Sequence, residues 1–267
     1  MRALRMQTVW PFEVLVLDSS STDGTPELAS QDGCRVVSIA RSDFRHGGTR
    51  QYAAELATGT DTLVFLTQDS FLAEADALRR LTAALEDPSI GAAYGRQVPR
   101  PGASPIEAHA RLFNYPPVSE IRSLGDATRI GFKSIFFSNS FGAYRTSALR
   151  QVGGFPPQLN FGEDTVVAAR LLQGGWRIAY VADATTFHSH PYTCREEYGR
   201  YFRIGQLHVG EPWLLHSFGR PTGEGRKFVA SEILYLCQHS PWLIPESMFR
   251  SVLKYLGYTR GRRSPQR

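Results

Sequence analysis

The sequence is poor in cysteine, with only Cys34, Cys194 and Cys237 spread over 267 residues. None of the three stands in the close Cys or His pairing that is typical of a structural zinc site. A disulfide framework also needs a denser cysteine pattern than this one. These absences exclude a disulfide scaffold and a zinc module, and they favour a reducing, cytoplasmic compartment.

The chain also lacks a long apolar run: none approaches the roughly 20 residues that span a bilayer. The N-terminus has no signal-peptide core, and no basic stripe with interleaved aromatic residues indicates a nucleic-acid partner. The net charge is a modest +5, and part of the basic excess lies in residues 258–267. This tail is either a solvated end or a segment attracted to an anionic membrane surface. We therefore predict a cytoplasmic protein and leave open a peripheral position on the inner face of the cell membrane.

What the sequence does have is apolar content, since 42% of its residues are hydrophobic and can form a sizeable core. Strands that alternate with helices predict an α/β fold with a mostly parallel sheet flanked by helices. The predicted strands are 12–17, 35–39, 62–66, 90–94, 133–144 and 176–181, and the predicted helices are 26–31, 50–57, 75–86, 146–152 and 165–173.

Two regions depart from this alternation. The Pro-containing stretch from Gln97 to Gly131 is too long for a simple connection, and it predicts a substrate-facing insertion. From Pro191 onward the pattern is helical and aromatic, so we expect an α/β domain over 1-190 and a helical C-terminal region with the basic tail over 191-267. The aromatic residues of that region favour a helical core over a membrane face; they are Tyr198, Tyr201, Phe202, Trp213, Phe218, Tyr235, Trp242 and Phe249.

A carboxylate follows the predicted strand at 62–66, in Thr67-Gln68-Asp69-Ser70. Because a carboxylate is costly to bury, we place Asp69 at the carboxyl end of the strand, where open α/β sheets bind ligands. There it could hold a divalent cation against a diphosphate. The alternative is that Asp69 caps the helix that begins near Ala75.

A polar cluster, residues 18–23, follows the first predicted strand. Its short side chains could hydrogen-bond a nucleoside, or Ser21 or Thr22 could cap the next helix. A second cluster, His46-Gly47-Gly48-Thr49-Arg50, opens a predicted helix whose free N–H groups favour anions, with Arg50 able to bind a phosphate bidentately. A Gly-Gly turn also begins many helices that bind no ligand.

Two further patterns carry titratable side chains. Glu163 and Asp164 begin a predicted helix, where the macrodipole lowers carboxylate pKa values and keeps Asp164 able to accept a proton from a hydroxyl. Both could instead only complement the dipole. His188 and His190 alternate after a strand, so we expect at most one, His188, to face the site. It could complete the coordination of Mn²⁺ or Mg²⁺ begun by Asp69, or be structural.

In their order along the chain, these motifs resemble those of family 2 glycosyltransferases, and among them bacterial rhamnosyltransferases. The resemblance rests on residues 14–25, 46–50, 67–69, 161–164 and 187–188, in register from Phe12 to His190. It implies a GT-A fold, a nucleotide-sugar donor and a divalent metal ion, Mg²⁺ or Mn²⁺. It also implies single-displacement transfer that inverts the anomeric carbon.

On the donor side, the resemblance assigns Asp18 and Ser19 to the nucleoside. Arg50, with Gly48 beside it, would lie near the ribose or the diphosphate, and Asn139 falls where the family lines the donor-sugar pocket.

At the reacting centre, Asp69 matches the metal-binding end of the family's Asp-x-Asp element, and His188 matches a metal-ligating histidine. Asp164 matches the catalytic base. Glu163 beside it would contact the acceptor or orient the base.

The sequence departs from the family pattern at three points. Thr67 replaces the first carboxylate of the Asp-x-Asp element, and Gln51 stands where the family usually has Asn. Residues 1–10 resemble the end of a helix, and the family's opening strand and nucleotide-contacting loop have no counterpart before them. We therefore expect an N-terminally truncated domain.

Three hypotheses follow. The first is an inverting glycosyltransferase that moves rhamnose from dTDP-rhamnose to a surface-polysaccharide or polyprenyl-linked acceptor. The second is a non-catalytic remnant with an incomplete nucleotide pocket, which binds a partner or a membrane through its C-terminal helices. The third, a nucleotidyltransferase, would need a Gly-rich, basic nucleotide-binding loop near the N-terminus, which this sequence lacks.

Overall fold

The computed structural model describes residues 1–11, 13–220 and 223–264; Phe12 of the first predicted strand and residues 265–267 of the basic tail lie outside them. The strands are β1 (Leu15–Asp18), β2 (Arg35–Ser38), β3 (Thr62–Leu66), β4 (Phe71–Leu72), β5 (Ile90–Val98), β6 (Glu120–Arg122), β7 (Phe141–Arg145) and β8 (Arg177–Phe187). The helices are α1 (Arg2–Arg5), α2 (Thr25–Gln31), α3 (His46–Leu56), α4 (Ala77–Ala83), α5 (Pro105–Asn114), α6 (Ala127–Ile130), α7 (Thr146–Gln151), α8 (Glu163–Gln173), α9 (Cys194–Gly210), α10 (Pro212–Phe218), α11 (Glu224–His239) and α12 (Ile244–Gly261).

The larger sheet is mixed, so the predicted mostly parallel arrangement is wrong. Its strand order is β3-β7-β5-β8-β4, with β6 also paired to β8. Only β5 and β8 are parallel in it, whereas β7 runs antiparallel to β3 and β5, and β4 and β6 run antiparallel to β8. The periodicity of apolar residues indicates that a segment is a strand. It does not indicate which strand that segment pairs with, or whether the pair is parallel or antiparallel.

Strands β1 and β2 form a separate parallel pair. Among the described residues neither strand bonds to β3, although the sequence pattern predicts one sheet for all three. Helix α3 lies beside β1 and also packs Ala54 against the core of the larger sheet. This helix therefore links the two sheets.

Helices cover both faces of the larger sheet, as expected for an α/β fold. Along β5, Ala92 and Tyr94 face one core cluster and Ala93 faces the other, which follows the two-residue alternation of a strand. Helix α8 packs on the first face and α4 on the second. This layering leaves the loops at the strand ends free to form a cleft.

The segment 133–144 is not one strand, contrary to the prediction. Residues Gly131–Ile135 form a 3₁₀ turn, and the strand begins only at Phe141. The buried Arg122 guanidinium gives the reason, because it donates to the carbonyl oxygens of Lys133 at 2.7 Å and Phe136 at 3.0 Å. Carbonyl groups held in this way are satisfied without a strand ladder.

The C-terminal helices pack through close backbone contacts. Gly205 on α9 and Gly257 and Gly261 on α12 lie where the two helices meet, and a Cβ on Gly257 would sit 2.5 Å from the Tyr198 carbonyl oxygen. Helix α11 packs against α5, so the helical region also touches the insertion. The division at residue 190 stays a prediction.

The aromatic residues of this region do not all form its core. Phe218 is buried, as predicted, but Trp242 is 74% exposed and Phe249 is 57% exposed. The core prediction is therefore wrong for these two side chains. No helix in the described part of the chain is both long enough and apolar enough to span a bilayer.

Candidate active site

A cleft of about 850 Å³ opens where the loop after β3 meets helices α5, α8 and α9. Its size lies in the range of small-molecule sites, about 300–1,000 Å³. Six predicted site residues line it: Arg50, Asp69, Asn139, Glu163, Asp164 and His188. As far as the described residues show, Asp18, Ser19 and Gly48 are not part of its wall. The predicted insertion does border the cleft, through α5.

Asp69, His188 and His190 form a carboxylate–histidine cluster in the cleft wall. Asp69 Oδ1 lies 3.4 Å from His188 Nε2, and Asp69 Oδ2 lies 3.4 Å from His190 Nε2. Hydrogen bonding from His188 holds the pKa of Asp69 well below its usual range, and burial lowers the pKa of His190 to about 4. Near pH 7 the cluster therefore contains an ionised carboxylate and a neutral His190.

The expectation that only one of the two histidines faces the site is wrong. Strand β8 ends at Phe187, so the alternation of a strand does not continue through His188 and His190. The two Nε2 atoms come within 3.2 Å of each other.

Gln97 orients the His188 ring. Its Oε1 lies 3.0 Å from His188 Nδ1 and also accepts a hydrogen bond from Arg111. Because an amide oxygen can only accept, Nδ1 carries a proton, which leaves Nε2 facing the Asp69 carboxylate. Nε2 can donate a proton to this carboxylate or share a cation with it. Asp69, His188 and His190 thus form a group that could hold a metal ion.

Glu163 lies in a buried hydrogen-bonded network. Arg50 Nη1 donates to Glu163 Oε1 at 2.7 Å, and Asn139 Nδ2 donates to the same oxygen at 3.3 Å. The Tyr144 hydroxyl donates to Asn139 Oδ1 at 2.8 Å. A buried carboxylate needs such partners to stay charged. Arg50 is thus paired with a protein carboxylate, and its contact with a phosphate stays a prediction.

Asp164 follows Glu163 at the start of α8 and lines the cleft. Burial, together with the nearby Glu163 charge, raises the pKa of Asp164 to about 7. The lowered pKa that the helix macrodipole predicts is therefore wrong, because desolvation and a like charge outweigh the dipole here. A carboxylate with a pKa near 7 is well matched to accept a proton at neutral pH.

The paired glycines let α3 approach a neighbouring loop. The Gly47 N–H donates to the Leu159 carbonyl oxygen at 2.9 Å, and a Cβ on Gly48 would lie 3.0 Å from the Pro157 carbonyl oxygen. The two glycines therefore let helix α3 lie close to the backbone of this loop. An anion contact at Gly48 stays a prediction.

The polar cluster after β1 shapes the turn into α2. Buried Asp18 accepts the Ser21 N–H at 2.9 Å, and Asp23 accepts the Thr25 N–H at 3.1 Å. Helix α2 has Gly24 as its N-cap, so the alternative that Ser21 or Thr22 caps it is wrong. A nucleoside contact for Asp18 and Ser19 stays a prediction.

Comparison with known proteins identifies the family. Residues 1–153, more than half of the chain, match the family described as Glycosyl transferase family 2. The chain belongs to this family. It is a glycosyltransferase, so the predicted enzyme class is confirmed and the non-catalytic remnant is not supported.

Two relatives of this glycosyltransferase are O-antigen chain rhamnosyltransferases. RfbN of Salmonella typhimurium is 42% identical over 261 residues, which cover 97% of this chain and 83% of RfbN. WbaN of Salmonella anatum is 42% identical over 260 residues, which cover 97% of this chain and 82% of WbaN.

A solved structure shows the same architecture. The mannosyltransferase PcManGT from Pyrobaculum calidifontis, in complex with GDP-Man and Mn²⁺, matches with a TM-score of 0.59 at 18% identity. The match covers 97% of this chain and 78% of PcManGT. The predicted GT-A fold is thereby confirmed.

Sequence reasoning missed several residues of the glycosyltransferase cleft. Gln97 and His190 carried only weak signals, a polar residue in a strand and a His-x-His pair. Arg200 and Arg203 lie one turn apart on α9, and both guanidinium groups sit over the Phe161 ring, at 5.7 Å and 5.8 Å from its centre. The three-residue spacing of these arginines on a predicted helix was the available sign that they share a face.

Proposed function

We propose that this chain is an inverting rhamnosyltransferase that uses dTDP-rhamnose and a hydroxyl of a surface-polysaccharide or lipid-linked acceptor. The observation that supports this proposal most directly is that Asp164 lines the same cleft as the cluster of Asp69, His188 and His190. Burial raises the pKa of Asp164 to about 7, which suits a general base. The choice of rhamnose is supported by the 42% identity to two rhamnosyltransferases.

In this proposal Asp164 is the catalytic base. The acceptor oxygen attacks the anomeric carbon while its proton moves to the Asp164 carboxylate. The bond from that carbon to the diphosphate oxygen breaks on the opposite face, and the nucleoside diphosphate leaves. Glu163 acts on this base through its charge, which raises the pKa of Asp164. Hydrogen bonds from Arg50 and Asn139 hold the Glu163 carboxylate in place.

The proposed cofactor is a divalent ion, Mg²⁺ or Mn²⁺, held by Asp69 and His188. His190, which the sequence did not single out for this role, would be a third ligand. The observation that supports the site is that His188 Nε2 and His190 Nε2 each lie 3.4 Å from an oxygen of the Asp69 carboxylate. Such an ion supplies positive charge at the leaving diphosphate.

The remaining assignments concern the donor. Arg50 and Asn139 lie in the cleft wall and could contact the diphosphate and the sugar. Asp18 and Ser19 would contact the nucleoside, and Gly48 the phosphates, through a part of the surface that adjoins α3.

The experiment is a transfer assay with dTDP-rhamnose and an acceptor glycan, followed by mass spectrometry. We expect Asp164→Asn to lose at least about 100-fold in rate, the lower range for a general base, while it still binds the donor. Asp183→Asn is the matched control, since Asp183 is exposed on β8 and lies outside the cleft wall. Equal turnover by Asp164→Asn and the parent chain would remove Asp164 from the base role.

A further inference from the structure

The last helix carries an apolar stripe that faces away from the protein. Its members are Met248, Phe249, Val252, Tyr255 and Leu256, which are 52%, 57%, 54%, 68% and 48% exposed. Their spacing of i, i+1, i+4, i+7 and i+8 places them along one side of α12. We call these five residues the outer stripe. An exposed apolar patch of this kind marks an interaction site more often than isolated surface residues do.

The opposite side of α12 faces the protein. Gly257 and Gly261 are buried there against α9, and Arg250 and Lys254 line the cleft. Helix α12 thus separates the cleft from the outer stripe. Since a helix with its side chains is about 10 Å across, whatever covers the stripe lies about that far from the cleft wall.

After Glu246 the charged residues of α12 are all basic. From Ser247 to the end of the chain there is no acidic residue. Arg260, Arg262 and Arg263 follow the stripe at the C-terminal end of α12, and all three are exposed. Trp242, in the 3₁₀ turn just before α12, is 74% exposed. An apolar helix face with aromatic residues and flanking arginines is typical of helices that lie in a lipid interface.

A second copy of the chain would neutralise this positive charge less well than an anionic membrane. The nearest carboxylate on α12 is Glu246, and it is already paired with Arg250 at 2.7 Å. Two antiparallel copies of α12 would therefore offer no unpaired acid to the arginines. The phosphate groups of an anionic bilayer would offer many.

We propose that the outer stripe and the three arginines dock α12 on an anionic lipid bilayer, with the cleft on the far side of the helix. The apolar side chains enter the headgroup boundary, and the arginines contact lipid phosphates. This docking rests on the proposed function for its purpose, because it holds the cleft next to a polyprenyl-linked acceptor.

The test is flotation of the full chain with vesicles of phosphatidylglycerol and phosphatidylcholine, compared with phosphatidylcholine alone. We expect binding to the anionic vesicles that weakens as salt is raised. The variant Phe249→Ser with Val252→Ser and Leu256→Ser should lose at least tenfold in binding. Removing three arginines as Arg260→Gln, Arg262→Gln and Arg263→Gln should cost about a hundredfold, since each contributes on the order of 1 kcal/mol.

The matched control is Val118→Ser with Leu234→Ser, because these side chains are 69% and 67% exposed but lie outside the stripe. It should bind vesicles like the parent chain. Circular dichroism and thermal unfolding of each variant would exclude misfolding. Unchanged vesicle binding by the stripe variant, or no binding by the parent chain, would overturn the proposal. A dimer in light scattering that the stripe variant breaks, without vesicle binding, would assign the stripe to a second copy and also overturn it.

A water-soluble acceptor without a lipid separates this proposal from the proposed function. The stripe variant should transfer sugar to it at the parent rate and should be slower only with a lipid-linked acceptor in vesicles. If neither chain transfers sugar while vesicle binding still depends on the stripe, the proposed function fails and the docking stands.

Discussion

At the residue scale, two aspartates of one cleft are shifted in opposite directions. Burial and Glu163 raise the pKa of Asp164, whereas hydrogen bonding from His188 lowers the pKa of Asp69. Groups whose surroundings separate their pKa values in this way commonly divide the acid–base work of a site. Asp164 is suited to take up a proton near neutral pH, and Asp69 is suited to stay charged beside a cation.

The raised pKa of Asp164 predicts a pH dependence. Below a pH of about 7 Asp164 is mostly protonated and cannot accept a proton, so kcat/KM should fall as the pH falls through that value. Glu163→Gln removes a like charge and should lower the pKa of Asp164. The acidic limb of the pH–rate profile, where kcat/KM falls, should then move to lower pH. Initial rates measured from pH 5 to 9 provide the check.

Glu27→Gln is the control for that series, because Glu27 lies in the first turn of α2, away from the cleft. Its limb should coincide with that of the parent chain. A limb that Glu163→Gln leaves in place would contradict the coupling between the two carboxylates.

The contact between Gln97 and His188 predicts a change in metal affinity. Gln97→Leu removes the acceptor that orients the ring, and losing such a partner typically costs about 10- to 100-fold. Titration calorimetry with Mn²⁺ alone measures this directly, and Asp69→Ala should abolish the binding. Gln173→Leu, an exposed change on α8, should bind Mn²⁺ like the parent chain. Equal affinities for all variants would remove the cluster from metal binding.

The sequence revealed the individual acids of this cleft but not their surroundings. The sequence pattern places Asp69 at the end of a strand, and it places Glu163 and Asp164 at the start of a helix. Their pKa shifts depend on burial and on partners far apart in the chain, such as Arg50, 113 residues before Glu163. His190 was missed because its position depends on where β8 ends.

At the element scale, the contact of α9 with α12 depends on glycine. The Gly257 backbone lies so close to Tyr198 that a methyl group has no room. Gly257→Ala should therefore destabilise the fold by about 1–3 kcal/mol, the usual cost of overpacking. Gly199→Ala on α9 meets open space and should instead stabilise the helix by about 0.5–1 kcal/mol. Urea unfolding of both variants is the measurement, and equal stability would contradict the close packing.

Elements whose apolar pattern is regular were predicted within a few residues. Strand β3 occupies residues 62–66 as the apolar run predicts, and α8 begins two residues before the predicted start. The failures lie where long-range contacts decide. Segment 133–144 is interrupted where Arg122 binds two of its carbonyl groups, and β7 pairs antiparallel with β3, a strand far from it in sequence.

At the scale of the whole molecule, the mixed sheet and its helices bring distant segments to one cleft. The loop after β3, the start of α8 and the loop after β8 supply Asp69, Asp164 and His188. Helix α12 closes one side of this cleft and turns its outer stripe away from it. This arrangement is consistent with the proposed transfer from a nucleotide sugar to an acceptor at a membrane surface.

The most direct test of the proposed function is the anomeric configuration of the transferred sugar. Nuclear magnetic resonance of the product formed from dTDP-rhamnose reports this configuration without reference to any one residue. A single displacement with Asp164 as the base predicts a configuration opposite to that of the donor. A product that retains the configuration of the donor would contradict it.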